Sequence, residues 1–191
     1  YYVAIGGESK DKCGKVVYYV SNDLYSYTYC GKLADSDGSL GNMWECPNFT
    51  RIENTDVLIF SPKGLENGFP ASFESGYMLG TMDYENKKFE HDAYRTLDYG
   101  FDFYAPQVME CGTRKILFAW FAIPDSIGKE MKDGWRHLLT LPRELKVSSD
   151  HRLLMTPIKE LEKLRTKTID TTLLNKSWER KVQNQPLELL I

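Results

Sequence analysis

The feature that most constrains the fold of this chain is an internal repeat with a spacing of 59 residues. Each copy has an aromatic residue, one variable residue, a small residue and a proline, and an apolar run begins ten residues after the proline. The first copy has Trp-Glu-Cys-Pro at 44–47 and Val-Leu-Ile-Phe-Ser at 57–61. The second has Phe-Tyr-Ala-Pro at 103–106 and Ile-Leu-Phe-Ala-Trp at 116–120. A third apolar run, Tyr-Val-Ala-Ile-Gly at 2–6, lies 55 residues before the first.

Repeats of about 50 residues that each contain several strands are typical of β-propeller blades. Apolar, strand-like runs at 16–20, 57–60, 76–80 and 116–120 are separated by turn residues, which predicts a mostly β protein. The turn-rich segment 83–88 predicts a hairpin. In a propeller the innermost strand of each blade lines the central channel, so Glu45 and Tyr104 would project to equivalent places around one axis. Two unrelated proline-strand coincidences would produce the same spacing.

Glu45 is the first candidate for a catalytic residue. It stands between Trp44 and the Cys-Pro pair at 46–47. Proline fixes φ and has no backbone donor, which predicts that Glu45 lies at a strand start or edge with its side chain available. Apolar neighbours would disfavour the charged form of this carboxyl and suit a proton donor. An ordinary surface carboxylate beside a strand fits the same local residues.

Composition excludes several classes of function. The 24 Lys and Arg residues against 27 acidic residues give a net charge of -3. The chain therefore lacks the excess of positive charge that is typical of nucleic-acid-binding proteins. No segment approaches the roughly 20 apolar residues of a membrane-spanning helix. Aromatic residues make up 13% of the chain, a content that favours strands and also stacking on sugar rings.

The cysteines indicate a reducing cytoplasm. They are scattered, with no C-x-x-C pair and no histidine at ligand spacing, so no metal site is predicted. We expect free and mostly buried thiols at all four positions: Cys13, Cys30, Cys46 and Cys111.

Three segments together resemble glycoside hydrolase family 32, which contains invertases, levanases, inulinases and bacterial sucrose-6-phosphate hydrolases. They are Trp-Glu-Cys-Pro-Asn-Phe at 44–49, Leu-Asp-Tyr-Gly-Phe-Asp-Phe-Tyr-Ala-Pro-Gln at 97–107 and Trp-Arg-His-Leu-Leu-Thr-Leu-Pro-Arg-Glu-Leu at 135–145. They occur in the family's order and spacing. The resemblance covers about residues 1–165 and is strongest to the intracellular sucrose-6-phosphate hydrolases.

The resemblance implies an all-β fold, a five-bladed β-propeller followed by a β-sandwich. Residues 1–156 would be a partial propeller catalytic domain within blades 2 to 5, about three blades in all, with the first blade missing. Residues 157–191 would be a linker and the start of a truncated C-terminal sandwich. Segment 157–165, with apolar residues three apart, predicts a short amphipathic helix or a linker. No cofactor and no metal are implied.

The resemblance also implies an activity, the hydrolysis of terminal β-fructofuranosyl bonds in sucrose, sucrose-6-phosphate or fructans with retention of configuration. Glu45 would be the general acid/base, and Trp120 and Tyr104 would bind substrate. The family's nucleophile lies in a Trp-x-Asn-Asp-Pro-Asn-Gly motif, and neither Asn-Asp-Pro nor the family's Arg-Asp-Pro occurs in this sequence. We therefore expect the chain to start inside the second blade and to be inactive alone.

Other readings of these residues stay open. Trp120 and Tyr104 could be plain propeller core. Asp98 or Asp102 could replace the missing nucleophile, although hydrogen bonding to turn backbone is the ordinary role of such residues. His137 reads as a satisfied polar residue near the channel floor.

The alternative function is a non-catalytic carbohydrate-binding propeller fragment. An unrelated five-bladed arabinan or galactan glycosidase is disfavoured by the Glu-Cys-Pro and Leu-Pro-Arg-Glu-Leu matches. About three blades cannot close a propeller, so we expect self-association or aggregation through exposed blade edges. The sequence leaves open whether the sugar carries a phosphate.

Overall fold

The computed structural model describes residues 1–65, 73–100, 102–124 and 128–166, and its regular structure is almost entirely β. The strands form three antiparallel sheets that follow one another along the chain. The first sheet has three strands in sequence order: β1 (Tyr2–Glu8), β2 (Gly14–Val20) and β3 (Thr28–Asp35).

The second and third sheets have five strands each. In the second, the strand order is β4-β5-β6-β7, and β8 also pairs with β6: β4 (Met43–Ile52), β5 (Thr55–Lys63), β6 (Gly76–Asp83), β7 (Lys88–His91) and β8 (Arg95–Thr96). In the third, β10 pairs with β9, β11 and β12, and β12 pairs with β13: β9 (Tyr104–Cys111), β10 (Arg114–Phe121), β11 (Leu138–Leu139), β12 (Arg143–Val147) and β13 (Leu153–Pro157).

These elements confirm the mostly β prediction. The apolar runs at 16–20, 57–60, 76–80 and 116–120 lie in β2, β5, β6 and β10. The predicted hairpin at 83–88 joins β6 to β7, and Asp83 pairs with Lys88. Two short 3-10 helices, Lys129–Asp133 and Lys159–Leu164, complete the described structure.

The chain divides into two units, Tyr1–Ile158 and Lys159–Ile191. In the second unit the segment Lys159–Leu164 forms a 3-10 helix with no buried residue, at the place of the predicted short helix or linker. Residues 167–191, where the start of a β-sandwich is predicted, lie outside the described residues.

Strand β5 is buried on both faces, which accounts for its unbroken apolar run at 57–60. Side chains alternate between the two faces of a strand, and here both faces are covered, so no polar residue is needed. Val57 and Ile59 pack towards the third sheet, in a cluster with Leu117, Ala119 and Leu145. Leu58 and Phe60 pack towards the first sheet, in a cluster with Val16, Tyr18 and Leu33. All four β5 side chains have 0% exposure, and full burial of each stabilises the fold by roughly 1.5–3 kcal/mol.

The internal repeat is present in the backbone itself. Hairpins β4–β5 and β9–β10 each contain an irregularity at the repeated proline. In the first, the register shifts between Glu45, opposite Ser61, and Asn48, opposite Ile59. In the second it shifts between the pair of Tyr104 with Trp120 and the pair of Gln107 with Phe118.

The residues before the two prolines adopt the same unusual conformation. Cys46 has a φ of 50° and Ala105 a φ of 49°, in the left-handed region that side chains other than glycine disfavour by about 1–2 kcal/mol. A bulge of this kind bends a strand and re-aims its side chains. Both bulges therefore redirect the residue that precedes them, Glu45 in one hairpin and Tyr104 in the other.

Strand β1 packs closely on β4. A Cβ at Gly6 would lie 1.9 Å from the carbonyl oxygen of Trp44, so only glycine fits there. Among the described residues β1 pairs with β2 alone. The first sheet thus resembles the second sheet without a strand at the position of β4, as the third copy of the repeat predicts.

The cysteines are free, as predicted, but the prediction that they are mostly buried is wrong. Cys46 and Cys111 are exposed, and Cys13 and Cys30 are partly exposed. Cys111 ends β9 at a tight turn, and Cys46 lies on the β4 bulge, where the strand turns its side chain away from the core.

Candidate active site

Glu45 lies near the start of β4, and its carboxylate meets two groups from other strands. The Tyr104 hydroxyl donates a hydrogen bond to Oε2 at 2.5 Å. The ammonium of Lys63 lies 3.8 Å from Oε1, and the Glu45 side chain is 30% exposed. The carboxylate is therefore anchored on one oxygen and remains accessible to solvent, as a residue that exchanges protons with a ligand must be.

Trp44 does not surround this carboxyl, contrary to the sequence-based expectation. Its ring is fully buried and stacks on Phe60 with centroids 4.1 Å apart, and its indole N–H donates to the Leu40 carbonyl at 2.7 Å. The reason is the alternation of side chains along a strand, which places neighbouring residues on opposite faces. Tyr104 and Lys63, rather than Trp44, set the environment of Glu45.

Tyr104 is a committed hydrogen-bond donor. It is only 3% exposed, and burial, followed by the hydrogen bond to the Glu45 carboxylate, raises the pKa of its hydroxyl well above the ordinary value. The ring of Phe73 packs edge-on against it at 5.3 Å. The phenol therefore stays protonated at physiological pH and keeps its proton directed at Glu45.

Two polar side chains of the second sheet connect the paired bulges. Ser61 accepts a hydrogen bond from the Ala105 backbone N–H at 3.2 Å and bonds the Ser75 hydroxyl at 2.9 Å. Asn48 bonds backbone groups on both β4 and β9. The sequence reasoning missed these residues as part of the site. The repeat held a signal for Ser61, because it aligns with the candidate Trp120.

Trp120 is brought to the site by pairing. It lies opposite Tyr104 in the β9–β10 ladder and is half-buried. Its ring meets the edge of His137 with centroids 4.9 Å apart. The Arg136 side chain lies 2.9 Å from the His137 ring nitrogen Nε2. The partly accessible indole offers an apolar face of the kind on which sugar rings stack.

Asp98 has the structural role that is ordinary for its residue type. One carboxylate oxygen accepts from the Gly100 backbone N–H at 2.7 Å, which confirms the predicted turn bonding, and the other pairs with Arg143 at 2.5 Å. Asp98 and Asp102 line a cavity of about 180 Å³ together with Glu74 and Phe73. Within the described residues no hydrogen bond joins either aspartate to Glu45.

Other site classes find no support in the part of the chain that the structure covers. Among its described residues there is no group of three or more His, Cys, Asp or Glu side chains placed to hold a metal ion. No helix there is long and apolar enough to cross a bilayer.

Comparison with known proteins gives a consistent result. The family model described as "Glycosyl hydrolases family 32 N-terminal domain" matches residues 1–157. Sucrose-6-phosphate hydrolase of Staphylococcus xylosus is 38% identical over 170 residues, which cover 87% of this chain and 34% of that protein. Sucrose-6-phosphate hydrolase of Bacillus subtilis is 37% identical, covering 86% and 36%. The chain thus spans about a third of the length of these relatives.

Solved structures share the fold. The GH32 beta-fructofuranosidase BmSUC1 of Bombyx mori superposes with a TM-score of 0.81 at 36% identity, covering 88% of this chain and 37% of that one. A mutant of that enzyme, in complex with sucrose, gives a TM-score of 0.82. Sucrose-6-phosphate hydrolase from Lactobacillus gasseri gives 0.77 at 28% identity, covering 87% and 36%. The three sheets are therefore consecutive parts of a β-propeller.

Proposed function

The chain belongs to glycoside hydrolase family 32, and from this premise we propose that it is part of a retaining β-fructofuranosidase with Glu45 as general acid/base. Its substrates are terminal β-fructofuranosyl bonds in sucrose, sucrose-6-phosphate or fructans. Three of the reported proteins are named sucrose-6-phosphate hydrolases, and the Bombyx mori mutant is in complex with sucrose, which supports this substrate class.

The observation that carries the proposal is the Glu45 carboxylate, which the Tyr104 hydroxyl holds at 2.5 Å while the side chain stays 30% exposed. A general acid/base must be fixed in position and yet reach a ligand. In the first step Glu45 donates its proton to the glycosidic oxygen while a nucleophilic carboxylate attacks the anomeric carbon. In the second it takes a proton from the water that cleaves the fructosyl-enzyme bond.

The nucleophile comes from a part of the protein outside these 191 residues. Acid and nucleophile in a retaining enzyme stand roughly 5–5.5 Å apart, and the motif that carries the family's nucleophile does not occur in this sequence. Asp98 is paired with Arg143 and bonded to Gly100, which argues against it as a substitute. The 191 residues alone are therefore inactive.

Trp120 and Tyr104 are the proposed substrate contacts. Half-buried Trp120 offers its indole to the apolar face of a fructose ring. Tyr104 is buried, and its hydroxyl acts mainly by orienting Glu45. Residues 1–156 are the proposed partial propeller catalytic domain, and residues 157–191 are the proposed linker and start of a C-terminal β-sandwich.

Two further properties follow from the surface. The four free thiols fit a reducing cytoplasm, where disulfides are rare. The edge of β1 that is unpaired among the described residues, with exposed Tyr2 and Ile5, favours self-association by strand pairing.

The second candidate function is carbohydrate binding without catalysis. It is favoured by one observation, the presence of Trp120 and Tyr104 in a sequence without the nucleophile motif. Titration with fructose or a fructo-oligosaccharide, followed by tryptophan fluorescence, separates the two candidates when it is combined with an assay of hydrolysis.

The experiment begins with the gene sequence upstream of Tyr1, where we expect Arg-Asp-Pro within about a dozen residues and Asn-Asp-Pro further back. The longer protein encoded by that gene should hydrolyse sucrose or sucrose-6-phosphate. Because configuration is retained, NMR should detect the β-anomer of the fructofuranose as the initial product. Glu45→Gln should lower kcat about 10²- to 10⁴-fold, and Glu90→Gln, at an exposed glutamate on β7, should leave it unchanged. Turnover by the 191 residues alone that depends on Glu45 would contradict the external nucleophile. Sugar binding without hydrolysis by the longer protein would favour the second candidate.

A further inference from the structure

The side chain of Asn48 crosses from β4 to β9. Its amide nitrogen donates to the Cys46 carbonyl at 3.0 Å and to the Pro106 carbonyl at 2.8 Å. Its carbonyl oxygen Oδ1 accepts from the Val108 backbone N–H at 2.9 Å. Both amide protons and one acceptor site of this side chain are thus used on backbone groups.

These bonds reach both bulges of the repeat. Cys46 is the left-handed residue of the β4 bulge, and Pro106 directly follows the left-handed Ala105 in the β9 bulge. Bulges interrupt a strand ladder and leave backbone groups without their usual partners. One side chain therefore satisfies groups in both irregular segments and links them across two sheets.

The same two segments position Glu45 and Tyr104. Glu45 directly precedes Cys46, and Tyr104 directly precedes Ala105. The hydrogen bond between them spans 59 residues of sequence. Among the described residues the Ser61 side chain also bonds the backbone of the β9 bulge. A shift of one bulge relative to the other would separate the carboxylate from the phenol.

We propose that Asn48 is a positioning residue, which fixes the two bulges against each other and so holds Glu45 within hydrogen-bonding distance of Tyr104. This inference rests on the proposed role of Glu45 as the acid/base. The hydrogen bonds of the Asn48 side chain among the described residues go to backbone groups, so it acts on the Glu45–Tyr104 pair through the backbone.

The chain provides a matched control at Gln107. This residue follows Pro106 as Asn48 follows Pro47, so it occupies the equivalent position in the second copy of the repeat. Its side chain is exposed to solvent. Asn48→Ala and Gln107→Ala remove an amide from the same backbone position, but only the first removes a link between the bulges.

The first experiment measures the hydrogen bond directly in the 191-residue chain. The proton of the Tyr104 hydroxyl is followed by NMR and assigned by its loss in Tyr104→Phe. We expect a downfield, slowly exchanging resonance in the original chain and in Gln107→Ala. In Asn48→Ala its exchange should be at least about tenfold faster, or the resonance should be lost, while the amide spectrum of β5 and β6 is unchanged.

A second variant keeps the inference testable if Asn48→Ala does not fold. Asn48→Asp preserves the shape and the acceptor for Val108 but removes both amide donors, and it should lose the Tyr104 resonance as well. Retention of the resonance in a folded Asn48→Ala or Asn48→Asp chain would overturn the inference. Equal loss in Gln107→Ala would overturn it too.

The catalytic consequence is tested in the longer, hydrolytic protein. Asn48→Ala should lower kcat about 10- to 100-fold with KM little changed, because a misplacement of about 1 Å costs that order of rate. Normal kcat in a variant that has lost the Tyr104 resonance would overturn the role in positioning for catalysis. Absence of Glu45-dependent hydrolysis would instead refute the proposed function, and the NMR result would still decide whether Asn48 holds the pair.

Discussion

Hairpins β4–β5 and β9–β10 have the same backbone and different chemistry. Each has a left-handed residue before a proline and a register shift at the same place. At the residue before the bulge, however, one has Glu45 opposite Ser61 and the other has Tyr104 opposite Trp120. The repeat thus gives positions 45 and 104 the same backbone geometry. The side chains differ, so that one position has a carboxylic acid and the other has its hydrogen-bond donor.

The opposite partners differ for a physical reason. Ser61 is fully buried and bonds the backbone of Ala105, so it must be small where the two sheets meet. Trp120 is half-buried and meets the edge of His137. Glu45 is therefore paired with a small residue at a close contact between the sheets, whereas Tyr104 is paired with a large aromatic side chain.

The largest expected effect is a difference in enzyme kinetics between variants of the two hairpins. In the longer protein Glu45→Gln should lower kcat about 10²- to 10⁴-fold, the range for loss of a general acid/base. Trp120→Ala should chiefly raise KM, because a stacked sugar loses apolar contact. Michaelis kinetics on sucrose and sucrose-6-phosphate measure both. An unchanged kcat in Glu45→Gln, or a pure kcat effect in Trp120→Ala, contradicts this division.

The next effect tests whether the two bulges are equivalent. Cys46→Val and Ala105→Val each place a β-branched side chain at a positive φ and should lower the free energy of unfolding by about 1–3 kcal/mol. Cys46→Gly and Ala105→Gly should be neutral or stabilising by up to about 1 kcal/mol, since relief of strain exceeds the entropy lost by glycine. Urea unfolding gives the values. A clear difference between the two sites would show that the repeat does not extend to backbone strain.

A smaller effect concerns the close contact between the sheets at Ser61. Ser61→Ala leaves the Ala105 N–H and the Ser75 hydroxyl without this partner and should cost about 1–2 kcal/mol. In a double-mutant cycle with Ser75→Ala, the two changes in the free energy of unfolding should not add, because the two hydroxyls bond each other. Simple additivity in urea unfolding would mean that the pair does not act as a unit.

The smallest effect is a dependence of stability on alkaline pH. The folded pKa of Tyr104 is raised above its value of 10.0 in the unfolded chain. The folded state therefore holds this proton when the unfolded state has lost it, so the contribution is complete below about pH 10 and is lost as pH rises towards the folded pKa. Tyr94, whose pKa is also raised by burial, acts in the same direction.

Tyr104→Phe should consequently flatten the fall in stability between about pH 9 and 11, measured by urea unfolding. Tyr25→Phe, at an exposed tyrosine, is the control and should leave the slope unchanged. An equal slope in Tyr104→Phe and in the original chain would show that Tyr104 does not hold its proton more tightly after folding.

The sequence predicted the strands and the equivalence of Glu45 and Tyr104, because both depend on local patterns and on a repeat that can be read directly. It did not predict that Trp44 turns into the core, although alternation along β4 contains that information. The roles of Asn48 and Ser61 could not be read in this way. Their partners on β9 lie 44 to 60 residues away in another sheet. The bulges that bring them together use Cys and Ala where glycine would have been the local signal.

The span of the Glu45–Tyr104 hydrogen bond has a consequence for the order of folding. Most pairings within the sheets are hairpins between strands that are adjacent in sequence, which close short loops and form early. The bond joins residues 59 apart in two different sheets, so it can form only after both sheets exist and have docked. We therefore expect the site to be the last part of this unit to assemble during refolding and the first to open under mild denaturant, while the sheets themselves remain intact.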